Sequence, residues 1–424
     1  MSRLLDLHVH PSLKMHYLPY LTNNFHALVY SGNFWNPLAF QTRYGNISKS
    51  PEKLMLCAHY VIERGFVAEG LRWFVRAFSW AAAPKFYYGL RSADPWETLV
   101  TMMDGLEKSV PNSNRLTLPG GKKFRLITRY ADVATLADDE IGLAHAIEGS
   151  HAFGYEPDPG ESLEAFWNKV NRRLAYVKER GVAMITLAHF RENMFAPQTD
   201  GTEYIPKVKE GKVVPGRDDL IYNMQRADWV WGDPRKLAEP FARRVLELGM
   251  LLNVSHTQPH ARAKVYDLCA EFNRPVVASH TGLEHFFAHE YNLSDAELKR
   301  IHKLGGVAGL ILSRRWLVDP VKRYGSDGKG IGDLVENMLY MADLVGDISI
   351  IGIGTDFDGL TDPFKDCYTP DQMDRIVEAM SVTSPTTRSI RFFTATDCAF
   401  WSVAGYKPHL GYRRMLRRTG TAFA

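Results

Sequence analysis

Apolar residues in this chain gather in short runs that stop abruptly on polar, chemistry-bearing side chains. Eight such runs are Leu4–His10, Phe124–Thr128, Leu143–Glu148, Ala183–His189, Met250–His256, Val276–His280, Gly306–Leu312 and Ile348–Asp356. Nearly every position inside them is apolar, as expected of strands buried on both faces. Between most of them lie stretches with helical spacing: Ser162–Gly181, Asp233–Gly249, His260–Asn273, Ser294–Gly306 and Asp333–Gly346. The first begins on a capping serine and ends on a glycine. Strands alternating with helices of this length predict parallel βαβ units. Counting strands does not separate a closed barrel from a doubly wound sheet, but the position of the polar residues does. A barrel gathers all its strand ends on one face, where the active sites of that fold lie. The expected class is therefore α/β, a (β/α)8 TIM barrel.

Two regions break the repeat, and both are expected to be insertions in a single domain spanning 1–424. Residues 12–120 are rich in aromatics and read as helices and long loops over the barrel mouth. Within them, Lys53–Phe78 reads as a helix broken near Gly65, its aromatic stripe packing into the core. Residues 195–232 are punctuated by glycine and proline and read as a long loop, either a lid or a passive surface segment.

Composition narrows the class. With 45% hydrophobic and 23% charged residues, the chain suits a globular protein with a large core. A formal net charge of +3, with one basic cluster at Arg413–Arg418, lacks the basic stripe of a nucleic-acid binder. Four dispersed cysteines (Cys57, Cys269, Cys367, Cys398) form neither a disulfide framework nor a thiolate zinc site, which fits a reducing compartment. Neither a leader-like run nor a membrane-length apolar stretch is seen, so the chain is expected to be cytoplasmic, with no membrane partner. A homodimer is compatible with the sequence.

The chemistry sits at the strand ends. In DLHVHP, His8 and His10 share one face of a strand, where two imidazoles can bind one divalent metal. In HAIEGSH, Glu148 ends a buried run, and a carboxylate there needs a cation or metal. His145 should face away from it, and His151 lies just beyond the strand. NVSHT and PVVASHTG end consecutive strands on His256 and His280. A lone strand-end histidine is usually structural, but two on neighbouring strands beside an HxH pair and a glutamate point to a metal centre. Asp356 follows the glycine-rich IGIGTDFDG strand, and Asp358 reads as a turn former before Gly359. His189 ends one more strand, in LAHF. Nitrogen and carboxylate donors without thiolates suit zinc, manganese or iron. Four histidines and a bridging glutamate can hold two such ions, a pair able to generate hydroxide at neutral pH and to polarise a carbonyl.

Taken in order, these motifs resemble the membrane dipeptidase (renal dipeptidase) family, peptidase family M19, within the metal-dependent amidohydrolase superfamily. HAIEGSH is similar to that family's IEGGH segment, LGMLLNVSHT to LGMxIDLSH, PVVASHTG to PVIxSHS and IGIGTDFDG to IGSDFDG. The resemblance implies a dizinc hydrolase of dipeptides or similar small amides. His8, His10 and Glu148 would hold one zinc, and Glu148, His256 and His280 the other. Asp356 would take the proton of the attacking water and pass it to the leaving amine. His189 would stabilise the oxyanion.

The chain departs from the family pattern in three places. The first motif is HxH where the family has HxD, a variant seen in the wider superfamily. The arginine that grips the substrate carboxylate is replaced by Tyr291, a candidate substrate-binding residue whose hydroxyl can donate only one hydrogen bond, and the C-terminal GGN-type signature is not recognisable. Arg314 and Arg315, after the Gly306–Leu312 strand, are candidate substitutes for the missing cation, with Arg191 a second choice; surface ion pairs are the plainer role for them. Two other readings stand beside the dipeptidase: an amidohydrolase of another amide, lactam, lactone or ester, and a barrel that has kept its fold but lost turnover.

Overall fold

The computed structural model describes residues 4–17, 40–64, 94–115, 120–199, 207–209, 212–214, 226–319, 322, 327–359 and 363–383. In chain order the strands are β1 (Leu4–Val9), β2 (Glu52–Tyr60), β3 (Lys123–Ile127), β4 (Glu140–Glu148), β5 (Met184–Thr186), β6 (Lys207–Lys209), β7 (Lys212–Val214), β8 (Leu251–Asn253), β9 (Val277–Thr281), β10 (Val307–Ile311) and β11 (Ile351–Gly354). A parallel ring runs β1-β2-β4-β5-β8-β9-β10-β11 and closes from β11 back to β1 through Asp6 and Ile353. This is the expected (β/α)8 barrel. A buried cluster that includes Leu5, Leu56, Ala146, Met184, Leu251 and Val277 draws on strands all round the ring.

Among the described residues, the helices of eight residues or more are α1 (Pro95–Asn114), α2 (Leu163–Glu179), α3 (Ala238–Glu247), α4 (Pro259–Glu271), α5 (Asp295–Lys303), α6 (Ile331–Val345) and α7 (Asp374–Thr383). Their starts follow from capping chemistry. Ser162 accepts the Ala165 N–H ahead of α2, and Ser294 forms a reciprocal capping box with Glu297 ahead of α5. Buried Phe166, Val170, Leu174 and Val177 recur at helical spacing and turn one face of α2 to the core.

Two expectations are corrected. Residues 52–60 are not helical but form β2, a wall of the barrel within the region read as an insertion; residues 65–78 of the expected helix lie outside the described residues. All nine β2 residues are buried and pair with β1 on one edge and β4 on the other. A run apolar on both faces carries no period that separates strand from helix. Conversely, the Phe124–Thr128 run forms β3, which pairs beside the first half of β4 and is not a member of the ring. Of residues 195–232, the β6–β7 hairpin is antiparallel, and residues 200–206, 210–211 and 215–225 of the expected loop lie outside the described residues. No helix among the described residues is long and apolar enough to cross a membrane.

One pair of acids in the barrel wall sets a pH dependence. Asp6 on β1 and Glu52 on β2 are both fully buried. Asp6 accepts from His8 N at 2.9 Å and from the Thr355 hydroxyl at 2.6 Å, and the Glu52 carboxyl faces it across the strand pair. Burial, then the charge of Asp6, pushes the Glu52 carboxyl well above the usual range. A raised folded pKa means that the native chain keeps a proton that the unfolded chain releases, so stability falls as pH rises through that interval. Glu52→Gln is expected to flatten this decline and to melt about 1–3 °C above wild type at alkaline pH. Thermal melts from mildly acidic to alkaline pH check this; parallel curves for the two proteins would contradict it.

Candidate metal centre

The candidate ligands leave the C-terminal ends of four barrel strands, His8 and His10 from β1, Glu148 from β4, His256 after β8 and His280 from β9, and all meet at Glu148. Oε1 of Glu148 lies 3.1 Å from Nε2 of His8, 3.5 Å from that of His280 and 3.6 Å from that of His256. Oε2 lies 3.4 Å from Nε2 of His10 and 3.7 Å from that of His189. His8 and His10 approach each other at 3.1 Å through Nε2, and His256 and His280 at 2.9 Å. Asp356 Oδ1 stands 2.9 Å from His10 Nε2. The sequence-predicted ligands, His189 and Asp356 therefore converge on one buried site.

The other ring nitrogens are held from behind. Nδ1 of His10 donates to the Ala58 carbonyl at 3.1 Å, which turns Nε2 into the site. Ser279 Oγ lies 3.0 Å from Nδ1 of His8 and 2.8 Å from Nδ1 of His280. Such outer partners fix ring orientation and tautomer at metal sites. His256 and Asp356 both take left-handed backbone angles, φ 64° and 56°, which costs about 1–3 kcal/mol per residue and recurs at functional sites. Gly359 makes room for this arrangement: a Cβ there would stand 2.1 Å from Asp356 Oδ1 and 2.6 Å from the His10 ring.

Charges divide along the same lines. Burial lowers His8 to about 3, helped by His280, and His256 and His280 also fall well below the usual imidazole range through burial. Burial opposes protonation of His10 too, but Glu148 and Asp356 outweigh it and lift that ring to about 9. Glu148 is held below the ordinary range against its burial by His8, His189 and His10. Oε1 of this buried carboxylate has no hydrogen-bond partner. Nitrogen lone pairs packed round an orphaned carboxylate oxygen, without thiolates, fit a divalent cation. Two overlapping sets bring three donor atoms within 4.8 Å of one another: His8, His10 and Glu148, and Glu148, His189 and His256.

The sequence reasoning missed Glu63 and Tyr60, because both follow from β2. Glu63 Oε1 accepts from His189 Nδ1 and from Phe190 N, both at 3.0 Å, and its other oxygen takes the Tyr60 hydroxyl. Burial opposes the charge on Glu63, yet His189 and His151 hold it at about 2. The Glu63 and Glu148 charges raise His189 against its own burial. Glu63→Ala is expected to lower kcat/KM by about 10–100-fold, with Glu63→Gln in between, since the amide keeps the hydrogen bond and loses the charge. Steady-state kinetics of the two variants check this, and wild-type values for Glu63→Ala would show that His189 needs no such support.

The other sequence candidates are not among the groups that meet at Glu148, although Tyr291 packs against the cluster, its ring 5.0 Å from that of His256. His145 faces away from Glu148, as expected, and His151 donates to the Val61 carbonyl at 2.7 Å. Asp358 anchors the segment at residues 41 and 42 through their backbone N–H groups and pairs with Lys14 at 2.7 Å. The Tyr291 hydroxyl is spent on the His280 carbonyl at 3.0 Å, and its ring stacks on Trp316 at 4.1 Å. Arg314 pairs with Asp333 at 2.5 Å, the plainer of its two expected roles. Arg315 lies on the same short helix, Arg314–Leu317, its N–H bonded to Ser313 Oγ. Arg191 lines a cleft of about 290 Å³ with Arg64, Tyr155 and Lys236.

The family model for membrane dipeptidases (peptidase family M19) matches residues 240–393, the stretch that carries His256, His280 and Asp356. An uncharacterized dipeptidase of Schizosaccharomyces pombe is 28% identical over 252 residues, 58% of this chain and 49% of that protein. The chain is similar to the membrane dipeptidases over residues 240–393. It spans about half the length of this yeast dipeptidase. The probable dipeptidase PvdM from Pseudomonas aeruginosa superposes with a TM-score of 0.62 at 14% identity, covering 95% of each chain. A metallo peptidase from Rhodobacter sphaeroides, solved with a phosphinate mimic of the dipeptide L-Ala-D-Ala, gives 0.60 at 16% identity, covering 92% of this chain and 96% of that one. At these identities the structures establish the shared barrel.

Proposed function

We propose that this chain is a metal-dependent dipeptidase carrying two zinc ions, with Glu148 shared between them. The observation that carries the reading is the gathering of five imidazole Nε2 atoms round Glu148, one of whose buried oxygens has no hydrogen-bond partner. The phosphinate dipeptide mimic bound by the Rhodobacter sphaeroides relative supports a dipeptide as substrate. His8, His10 and Glu148 would hold one ion, and Glu148, His256 and His280 the other. When bound, such a pair lowers the pKa of water and polarises a carbonyl. The remaining steps fall to side chains. Asp356 stands at the edge of the cluster, placed to take a proton from the attacking water and return it to the leaving amine. His189 can donate from Nε2 only as an imidazolium, the state that Glu63 and Glu148 favour, and would then stabilise an oxyanion.

A second reading, hydrolysis of an uncharged amide, lactam, lactone or ester, is favoured by one observation. Two side chains proposed to meet a substrate carboxylate are already engaged, Tyr291 with His280 and Arg314 with Asp333. Dipeptide-library turnover with zinc-loaded protein separates the two. Chelator-sensitive dipeptide hydrolysis restored by zinc is expected. Turnover of neutral amides or esters alone would favour the second reading, and no metal uptake would overturn both.

A further inference from the structure

A buried chain of hydrogen bonds on the outer side of the barrel reaches the turn that carries His10. Tyr60 faces the site, its ring 4.2 Å from that of His189, so its neighbour His59 points the other way, toward α1. There His59 Nε2 meets His145 Nδ1 of the adjoining strand β4 at 2.7 Å. His145 Nε2 lies 3.2 Å from Glu107 Oε1 on α1, and Arg180, which caps the end of α2, clamps the same oxygen at 2.6 Å. At the inner end, Ser12 Oγ lies 2.8 Å from His59 Nδ1. Ser12, His59 and His145 are all completely buried.

Only one arrangement of protons satisfies this chain with uncharged rings. Glu107, bonded to Arg180, can only accept, so His145 donates from Nε2 and accepts at Nδ1. His59 must then donate from Nε2, which leaves its Nδ1 as acceptor for the Ser12 hydroxyl. Burial lowers both histidines, which keeps them neutral as this order requires. The chain ends two residues beyond His10, in a turn closed by Leu13 N donating to the His10 carbonyl at 3.3 Å. The same stretch of β2 also holds the His10 ring, through the Ala58 carbonyl at 3.1 Å. Strand β2 therefore grips the His10–Ser12 turn twice, once by backbone and once by His59.

We infer that His59 and His145 are positioning residues, which set the aim of His10 as a metal ligand by tying its turn to helices α1 and α2. Two imidazoles stand where a barrel strand facing a helix layer ordinarily carries apolar side chains. Their bonds lead to the ligand-bearing turn. This inference rests on the metal reading above.

Competition for zinc between a chromogenic chelator and the purified full chain tests it. Ser12→Ala and His59→Ala are expected to weaken zinc binding about tenfold, the lower end for groups that orient a ligand. His59→Gln, whose amide can accept from Ser12 and donate to His145, should restore most of the loss. Cys57→Ala alters the same buried face of β2 outside the chain and should leave zinc affinity unchanged even where it lowers Tm. Wild-type affinity in Ser12→Ala and His59→Ala, or no rescue by glutamine, would overturn the inference while leaving the metal centre in place. Failure of the wild-type chain to bind zinc would overturn both. If His59→Ala does not fold, Ser12→Ala, which removes only a hydroxyl, decides.

Discussion

Glu148→Ala is expected to empty the whole metal centre rather than half of it. One carboxylate spans the site: Oε1 faces His8, His256 and His280, while Oε2 faces His10 and His189. Its removal leaves five buried imidazoles without their shared anion. A divalent cation placed among neutral rings alone, in a site cut off from water, loses the charge that offsets its desolvation. His280→Ala removes one nitrogen and should weaken one ion preferentially. Metal analysis after zinc loading reads the difference directly. Melting gives an independent check, because an ion that binds only the folded chain raises Tm with its concentration. Wild type should gain Tm on zinc addition, His280→Ala less and Glu148→Ala hardly at all. A Glu148→Ala protein that retains a full complement of zinc would refute the shared-ligand arrangement.

Most of the fold and the predicted ligand cluster were legible because barrel geometry converts sequence order into spatial convergence. His8, Glu148, His256, His280 and Asp356 are scattered over some 350 positions, yet each terminates an apolar run, and a parallel barrel collects those ends on one face. Strand β2 was not legible. Its residues are buried on both faces, so EKLMLCAHY shows no alternation, and an aromatic-rich segment follows it that reads as helix. The cost of that misreading was local but functional. Read as a strand, the run would have placed Glu63 just past the end of β2, on the side of the barrel where Glu148 ends β4, and suggested it as a partner for another residue on the same face. The fate of Arg314 was open for a different reason. Sequence places it after β10, but whether it turns to substrate or to Asp333 depends on how α6 packs, which no local pattern encodes. Tyr291 is similar: the substitution is visible in the chain, while the engagement of its hydroxyl with the His280 carbonyl is a tertiary contact.

Asp356→Asn should cut turnover by about a hundredfold or more, the scale of a lost general acid–base group, while zinc content stays near wild type. Asparagine is the right replacement for physical reasons. Asp356 has a left-handed backbone, φ 56°, a conformation that asparagine tolerates and alanine does not. Space is not an obstacle either, since Asn is isosteric and Gly359 already leaves room at Oδ1. The substitution therefore removes proton acceptance with little backbone perturbation, and the amide can still meet His10. Alanine would confound lost chemistry with strain in the turn that β11 makes back toward His8. The loss should fall on kcat with KM nearly unchanged, because the group acts on the proton in flight rather than on binding. Two results would move the assignment. Near-normal kcat would remove Asp356 from proton transfer, leaving its 2.9 Å contact with His10 as a purely orienting bond. Loss of one zinc per chain would make Asp356 a ligand, and the proton would then need another carrier. His189 has the geometry to be tested next, since its Nε2 reaches the same Glu148 carboxylate and Glu63 supports it from behind.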